Sequence, residues 1–461
     1  MGYLSVTVRT LAATALAAGV FATVMAAQPG APPAGAGAAQ PAGRGARGGG
    51  GRGPALVSPE VMPDRTVVFR IAAPKAETVT LSANDVTILF TGGGAGAITG
   101  TNISAVMPAT PIPASGPVFK KNESGVWEAT VGPLPPGAYR YVFQVDGLRV
   151  LDPVNTRTAE SRDNMWSVFT VAGADMMDTA DVPHGAVARI FYYSSVLKTT
   201  RRMHIYTPPG YEVGNQKYPV FYLLHGSGDT DDAWVSVGRA AFILDNLIAA
   251  KKAKPMIVVM PAGHQPGNGG FGGGRGAGDA PGGAPQTPTV NPFTNEFMTD
   301  MLPYVEKNYR TINDRQHRAI AGLSMGGGQT LDIAFNHLNM FAEIGVFSSG
   351  ATLGGGGGGG RRGGAAPATG TAAAVPAPPQ PARPDWEATH KADLDNASLK
   401  KGTKLIWLST GKDDNLITNT RSTVELLKKH GFEPVFQESM GAHSWFNWRN
   451  YLIQFTPLLF Q

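Results

Sequence analysis

Ser324 stands between two glycines in Gly322-Leu323-Ser324-Met325-Gly326, directly after the run Arg318-Ala319-Ile320-Ala321. A serine flanked by small residues, leaving a short strand and entering a helix, can sit on a turn so tight that its hydroxyl stands clear of the backbone. An exposed hydroxyl of this kind is suited to nucleophilic attack on a carbonyl, provided that a base takes its proton and a carboxylate orients the base. The chain holds 60 glycines in 461 residues, so the pattern alone is weak and its partners must decide.

Of nine histidines only His430 and His443 follow the candidate acids, and His430 reads as the end of a helix before Gly431, so His443 in Gly441-Ala442-His443-Ser444-Trp445 completes the order serine, acid, histidine. That is the chain order of α/β-hydrolases. The acid belongs in Gly411-Lys412-Asp413-Asp414-Asn415, after the run Lys404 to Thr410, where position leaves Asp413 and Asp414 both open. His225-Gly226-Ser227-Gly228 follows Val220 to Leu224 at once, and a loop there supplies one N–H of an oxyanion hole. The residue after the nucleophile supplies the other. The expected donors are therefore Ser227 and Met325, with Gly226 in reserve for the first. His264, in Met260-Pro261-Ala262-Gly263-His264, follows a strand and is the candidate for substrate binding. Trp445 and Trp448 recur at helical spacing and are expected to pack rather than to form an acyl pocket.

These residues need a scaffold. After about Gly173 short apolar runs alternate with helix-period segments: Val220 to Leu224, Met256 to Met260, Ala319 to Ala321, Ile344 to Phe347 and Leu405 to Leu408, with helices expected over Phe293 to Tyr309 and Asn419 to His430. Continuous apolar character suits strands buried on both faces, so the fold class is α/β, with a mostly parallel sheet covered by helices. Chemistry then belongs on the loops at the strand C-termini.

Residues 57–172 follow another grammar. Thr66 to Ile71, Thr78 to Leu81, Val126 to Val131, Tyr139 to Val145 and Trp166 to Val171 alternate apolar and polar side chains, broken by turn signals such as Asp146-Gly147. This predicts an all-β immunoglobulin-like sandwich in front of the hydrolase part at 173–461. Trp127 and Trp166 sit in alternating strands and are expected in its core, the alternative being a stacking platform for a sugar ring.

Arg9, the apolar run Leu11 to Met25 and Ala26-Ala27 predict a secretory signal peptide over residues 1–27, and hence a secreted or periplasmic protein with no membrane span after its removal. A Gly/Ala/Pro/Arg linker follows over 28–56, and similar low-complexity insertions are expected at 265–290 and 354–384. The net charge of +5 owes much to arginines in these tracts, with no aromatics interleaved, so no nucleic-acid partner is expected. With no cysteine, the chain has no disulfide, thiolate nucleophile or cysteine metal site. No cofactor and no metal are implied.

From His184-Gly185 to Phe455 the chain resembles the esterase D family, also called the feruloyl-esterase or enterochelin-esterase-like family. Four stretches carry the likeness: Tyr206-Thr207-Pro208-Pro209-Gly210-Tyr211-Glu212, Tyr218-Pro219 to His225-Gly226, Ala319 to Gly327, and Gly441-Ala442-His443-Ser444-Trp445 to Trp448-Arg449. The resemblance implies an α/β-hydrolase fold, Ser324 as nucleophile, His443 as base and Asp414 rather than Asp413 as acid. It also implies a serine esterase, and the predicted export together with a possible sugar-binding module favours an acylated polysaccharide of the feruloyl or acetyl xylan type as its substrate. A siderophore ester, or acyl transfer with the same three residues, is the alternative. The stretch Gly132 to Tyr141 and Val145-Asp146-Gly147 to Asp152-Pro153 likewise resembles early-set and carbohydrate-binding modules. A catalytically silent carbohydrate-binding protein is the rival of another class, opposed by the presence of all three triad residue types and both oxyanion loops.

Overall fold

Alternation in the first half of the chain becomes two facing antiparallel sheets. The first runs in the order β1 (Glu60–Val61), β2 (Val67–Ala72), β5 (Val126–Val131), β4 (Lys120–Lys121). The second runs β3 (Val79–Ser82), β6 (Gly137–Val145), β9 (Met165–Val171), β8 (Thr158–Glu160), with β7 (Leu148–Val150) beside β6. Phe69 and Ile71 of β2 meet Tyr139, Tyr141 and Phe143 of β6 and Phe169 of β9 in one apolar core. Asp146 and Gly147 both take positive φ between β6 and β7, as the turn signal predicts.

This computed structural model describes residues 55–83, 85, 116–265, 291–351 and 385–461. The expected signal peptide, nearly all of the expected linker, and the insertions at 266–290 and 354–384 lie outside the described residues.

The second half forms one eight-stranded sheet. Its strands are β10 (Ala186–Ser194), β11 (Thr199–Thr207), β12 (Val220–Leu224), β13 (Ile257–Pro261), β14 (Arg318–Leu323), β15 (Glu343–Phe347), β16 (Leu405–Gly411) and β17 (Val435–Ser439). The order is β10-β11-β13-β12-β14-β15-β16-β17, antiparallel across the first three and parallel thereafter. Every residue of β12, β13, β14 and β15 is buried. The reason is a core on each face: Tyr222, Leu224, Ile320 and Ile344 point one way, Phe221, Leu223, Ala321 and Leu323 the other. The expected helix at Phe293 to Tyr309 is a continuous helical stretch, α over Pro292–Glu296 and Leu302–Asn308 with a π turn at Phe297–Met301 between them. Asn291 caps it by accepting the Phe293 N–H at 3.0 Å. The helix expected at Asn419 to His430 spans Ile417–Lys429, and Gly431 follows with φ 76°.

The strands β10 and β11 are a finding that the apolar-run pattern does not reach, because Thr199-Thr200-Arg201-Arg202 opens the second of them with polar residues. Parallel β12, β14, β16 and β17 all end on the same side, so His225-Gly226, Ser324, Asp414 and His443 emerge together. The sandwich packs beside this edge. Arg449, on the helix Trp445–Phe455, donates from Nη1 to the carbonyls of Ala138 and Val237, and the ring of Phe446 meets Tyr139 edge-on at 5.3 Å. Among the described residues no helix is long and apolar enough to cross a membrane.

Candidate active site

Ser324 links β14 to the helix Met325–Asn336 with φ 52° and ψ −115°, a conformation that L-residues rarely adopt. Close packing enforces it. A Cβ on Gly322 would fall 2.3 Å from the Gly326 carbonyl oxygen, and one on Gly326 would fall 2.6 Å from the His225 carbonyl oxygen. The two glycines therefore let the turn fold on itself and let the next loop approach. The Ser324 N–H donates to the Phe347 carbonyl at 2.8 Å, which fixes the turn against β15.

His443 reaches over the strand ends to this serine. Its Nε2 lies 2.9 Å from Ser324 Oγ, and its Nδ1 lies 3.0 and 3.1 Å from the two carboxylate oxygens of Asp414. Asp414 is 2% exposed and touches His443, whereas Asp413 is exposed, so of the two carboxylates that position leaves open Asp414 is the one placed beside the histidine. Burial pushes the Asp414 carboxyl up, but the hydrogen bond and charge of His443, together with the Leu416 N–H, outweigh it and hold it below its ordinary range. An ionised Asp414 accepts Nδ1–H, which leaves Nε2 free to take a proton from the serine. Trp448 sets its ring edge-on to His443 at 4.9 Å, and Trp445 packs in turn between Trp448 and Trp234. Both tryptophans are buried packing residues as expected, and Trp448 also forms part of the cavity wall.

Gly226, Ser227 and Gly228 line a cavity of about 330 Å³ together with Ser324 and His443. A Cβ on Gly226 would stand 3.5 Å from Ser324 Cβ, which places this loop against the nucleophile. Met325 opens its helix, so its N–H has no acceptor within that helix. His225 is the neutral anchor of the loop. Its Nε2 accepts the Gly263 N–H at 2.8 Å, so Nδ1 carries the proton and donates to the Gly226 carbonyl at 2.8 Å. Complete burial pushes its pKa down to about 4.

His264, expected to bind substrate, is not among the residues that line this cavity; its Nε2 lies 3.0 Å from the Asp229 carbonyl and its ring 5.2 Å from that of His225. Trp166 is a correction. Instead of joining the sandwich core it lines the cavity, with the Arg149 guanidinium 4.0 Å over its ring and its Nε1–H donating to Ser161 Oγ at 3.1 Å. Trp127 does pack against the core, with Nε1–H donating to the Ala73 carbonyl.

Sequence reasoning missed that the sandwich builds one wall of the cavity. Asp85, Arg140, Ser161 and Trp166 face Ser324 across it, and no local pattern marks them: Arg140 reads as an outward polar position in an alternating strand. Among the described residues no cluster of side chains has the make-up of a metal site.

The esterase family model matches residues 194–459, more than half of the chain. The chain belongs to the esterase family. An endo-1,4-beta-xylanase/feruloyl esterase of Xylanibacter ruminicola is 30% identical over 243 residues, 51% of this chain and 32% of that protein. An esterase of Mycobacterium tuberculosis is 29% identical over 168 residues, 36% of this chain and 33% of that one. The chain thus spans about a third of the length of these curated relatives. Among solved structures, an enterochelin esterase from Shigella flexneri superposes with a TM-score of 0.52 at 15% identity, covering 87% of this chain and 94% of that one. That likeness is one of fold, and the fold is the α/β-hydrolase.

Proposed function

We propose that this protein is a serine carboxylic-ester hydrolase working through an acyl-enzyme. What carries the proposal is the chain of contacts from Asp414 through His443 to Ser324, with 2.9 Å between His443 Nε2 and Ser324 Oγ. His443 takes the hydroxyl proton as Ser324 Oγ attacks the ester carbonyl carbon. The N–H groups of Ser227 and Met325 receive the oxyanion. Collapse expels the alcohol, which leaves with the proton held by His443. Water then attacks the acyl-enzyme by the same route, releasing the acid and restoring Ser324.

The proposed substrate is an acylated polysaccharide of the feruloyl or acetyl xylan type, cleaved outside the cytoplasm. Two observations support it: the similarity to a xylanase/feruloyl esterase, and a cavity whose second wall carries polar and aromatic side chains, Asp85, Arg140, Ser161 and Trp166, able to contact sugar hydroxyls. On this reading residues 57–172 are an immunoglobulin-like module that shares the site, and residues 173–461 are the hydrolase domain. Purified wild-type protein is expected to release ferulate or acetate from xylan faster than it cleaves a siderophore ester. Ser324→Ala should lose hydrolysis of each by about ten-thousand-fold or more. Faster cleavage of the siderophore ester would overturn the polysaccharide assignment, and undiminished activity of Ser324→Ala would overturn the serine mechanism.

A further inference from the structure

The Gly226-Ser227-Gly228 segment is a soft place to keep oxyanion donors. Two glycines leave its backbone free to adopt many conformations, while a useful donor must be held within tenths of an ångström of the developing charge. Within the hydrolase part the loop has three fastenings: the Asp229 N–H and His225 Nδ1 on the Gly226 carbonyl, and His264 on the Asp229 carbonyl. The sandwich adds a second set from the other side. The Arg162 N–H donates to the Gly228 carbonyl at 3.1 Å, and Ser161 pairs with Asp229 as an isolated antiparallel bridge. The Glu160 N–H donates to Asp232 Oδ2 at 2.9 Å. Arg140, on β6, donates from Nη1 to Asp229 Oδ1 at 2.7 Å while its Nε holds Asp85 at 3.1 Å.

We propose that Arg140 is a positioning residue for ester cleavage, holding the oxyanion loop in register with Ser324 through Asp229 from across the boundary between sandwich and hydrolase. The proposal rests on the reading that this loop supplies an oxyanion donor. The pair is well sheltered, with side-chain exposures of 16% for Arg140 and 7% for Asp229, so water offers little competition for it. Burial also pushes the Asp229 carboxyl above its ordinary range against the pull of Arg140. Removing the guanidinium therefore favours a protonated Asp229 that no longer anchors the loop by charge. The sandwich then acts on catalysis through the backbone of the hydrolase, in addition to any contact with substrate.

The test is a double-mutant cycle on the full chain with p-nitrophenyl acetate, using Arg140→Met, Asp229→Asn and both together, with Arg140→Lys as the conservative variant. Each single change is expected to lower kcat ten- to hundredfold with KM within twofold, the double to fall no further than the worse single, and Arg140→Lys to recover part of the loss. Circular dichroism and thermal melting accompany each variant, and the near-isosteric Asp229→Asn carries the test alone if Arg140→Met does not fold. Losses that multiply in the double variant would overturn the proposal, as would a raised KM at unchanged kcat or wild-type kcat in Asp229→Asn. Ser324→Ala in parallel separates the two claims. Activity surviving there defeats the serine reading itself, whereas its loss beside an unaffected Asp229→Asn defeats only the positioning role.

Discussion

In the Ser324 turn the constraints come from its immediate neighbours. Gly322 and Gly326 remove the side chains that would collide, the Ser324 N–H is tied to the adjacent strand, and the strained φ of 52° follows. The loop at Gly226 to Asp229 faces the same cavity under other terms. A Cβ at Gly228 would meet nothing within 4 Å, and an important fastening comes from Arg140, 89 positions earlier in the chain than Asp229. One half of the site is thus held by close steric contact and the other by hydrogen bonds and charge, part of them from a different sheet. A turn held by sterics tolerates little change in volume, whereas a loop held by polar partners tolerates volume and responds to charge and pH.

The largest effect should come from the carboxylate that orients the histidine. Asp414→Asn is expected to lower kcat by about 10³- to 10⁴-fold, because the amide favours the wrong imidazole tautomer, while exposed Asp413→Asn stays near wild type. Steady-state kinetics of the two variants checks this, and comparable losses in both would mean that burial of Asp414 does not mark the acid.

A smaller effect concerns the polar fastening of the loop. His225 has its pKa pushed from 6.5 down to about 4 in the folded chain, so the unfolded chain takes up a proton first as pH falls. Its contribution is complete above pH 6.5 and is lost as pH falls toward about 4, an amount on the order of 3 kcal/mol. Urea unfolding of wild type and His225→Gln across that window should show a shallower pH slope in the variant. Parallel slopes would remove His225 as the source.

The smallest effect sharpens the steric side. Gly326→Ala forces a methyl group against the His225 carbonyl and should cost about 1–3 kcal/mol of stability. Gly228→Ala should remain within ~0.5 kcal/mol of wild type. Chemical denaturation of both variants measures the contrast, and equal losses would erase it.

The same division explains what the sequence revealed. The elbow, the order of serine, acid and histidine, and the buried parallel strands are local or ordered along the chain, so glycine spacing and apolar runs point to them. Asp413 and Asp414 differ in burial alone, which adjacent residues of one type cannot display, and family resemblance made that choice. Arg140, Trp166 and the true place of His264 depend on how the sandwich docks against the strand ends. Arg140 alternates with the buried Tyr139 and Tyr141, as any polar residue on the outer face of a β-strand does.

Covalent labelling reaches the central claim most directly. After reaction with a fluorophosphonate, intact-mass analysis and peptide mapping of the wild-type chain should find one adduct, on Ser324, lost in Ser324→Ala and slowed in Asp414→Asn. An adduct on another residue, or undiminished labelling of Ser324→Ala, would contradict the assignment of Ser324 as the nucleophile.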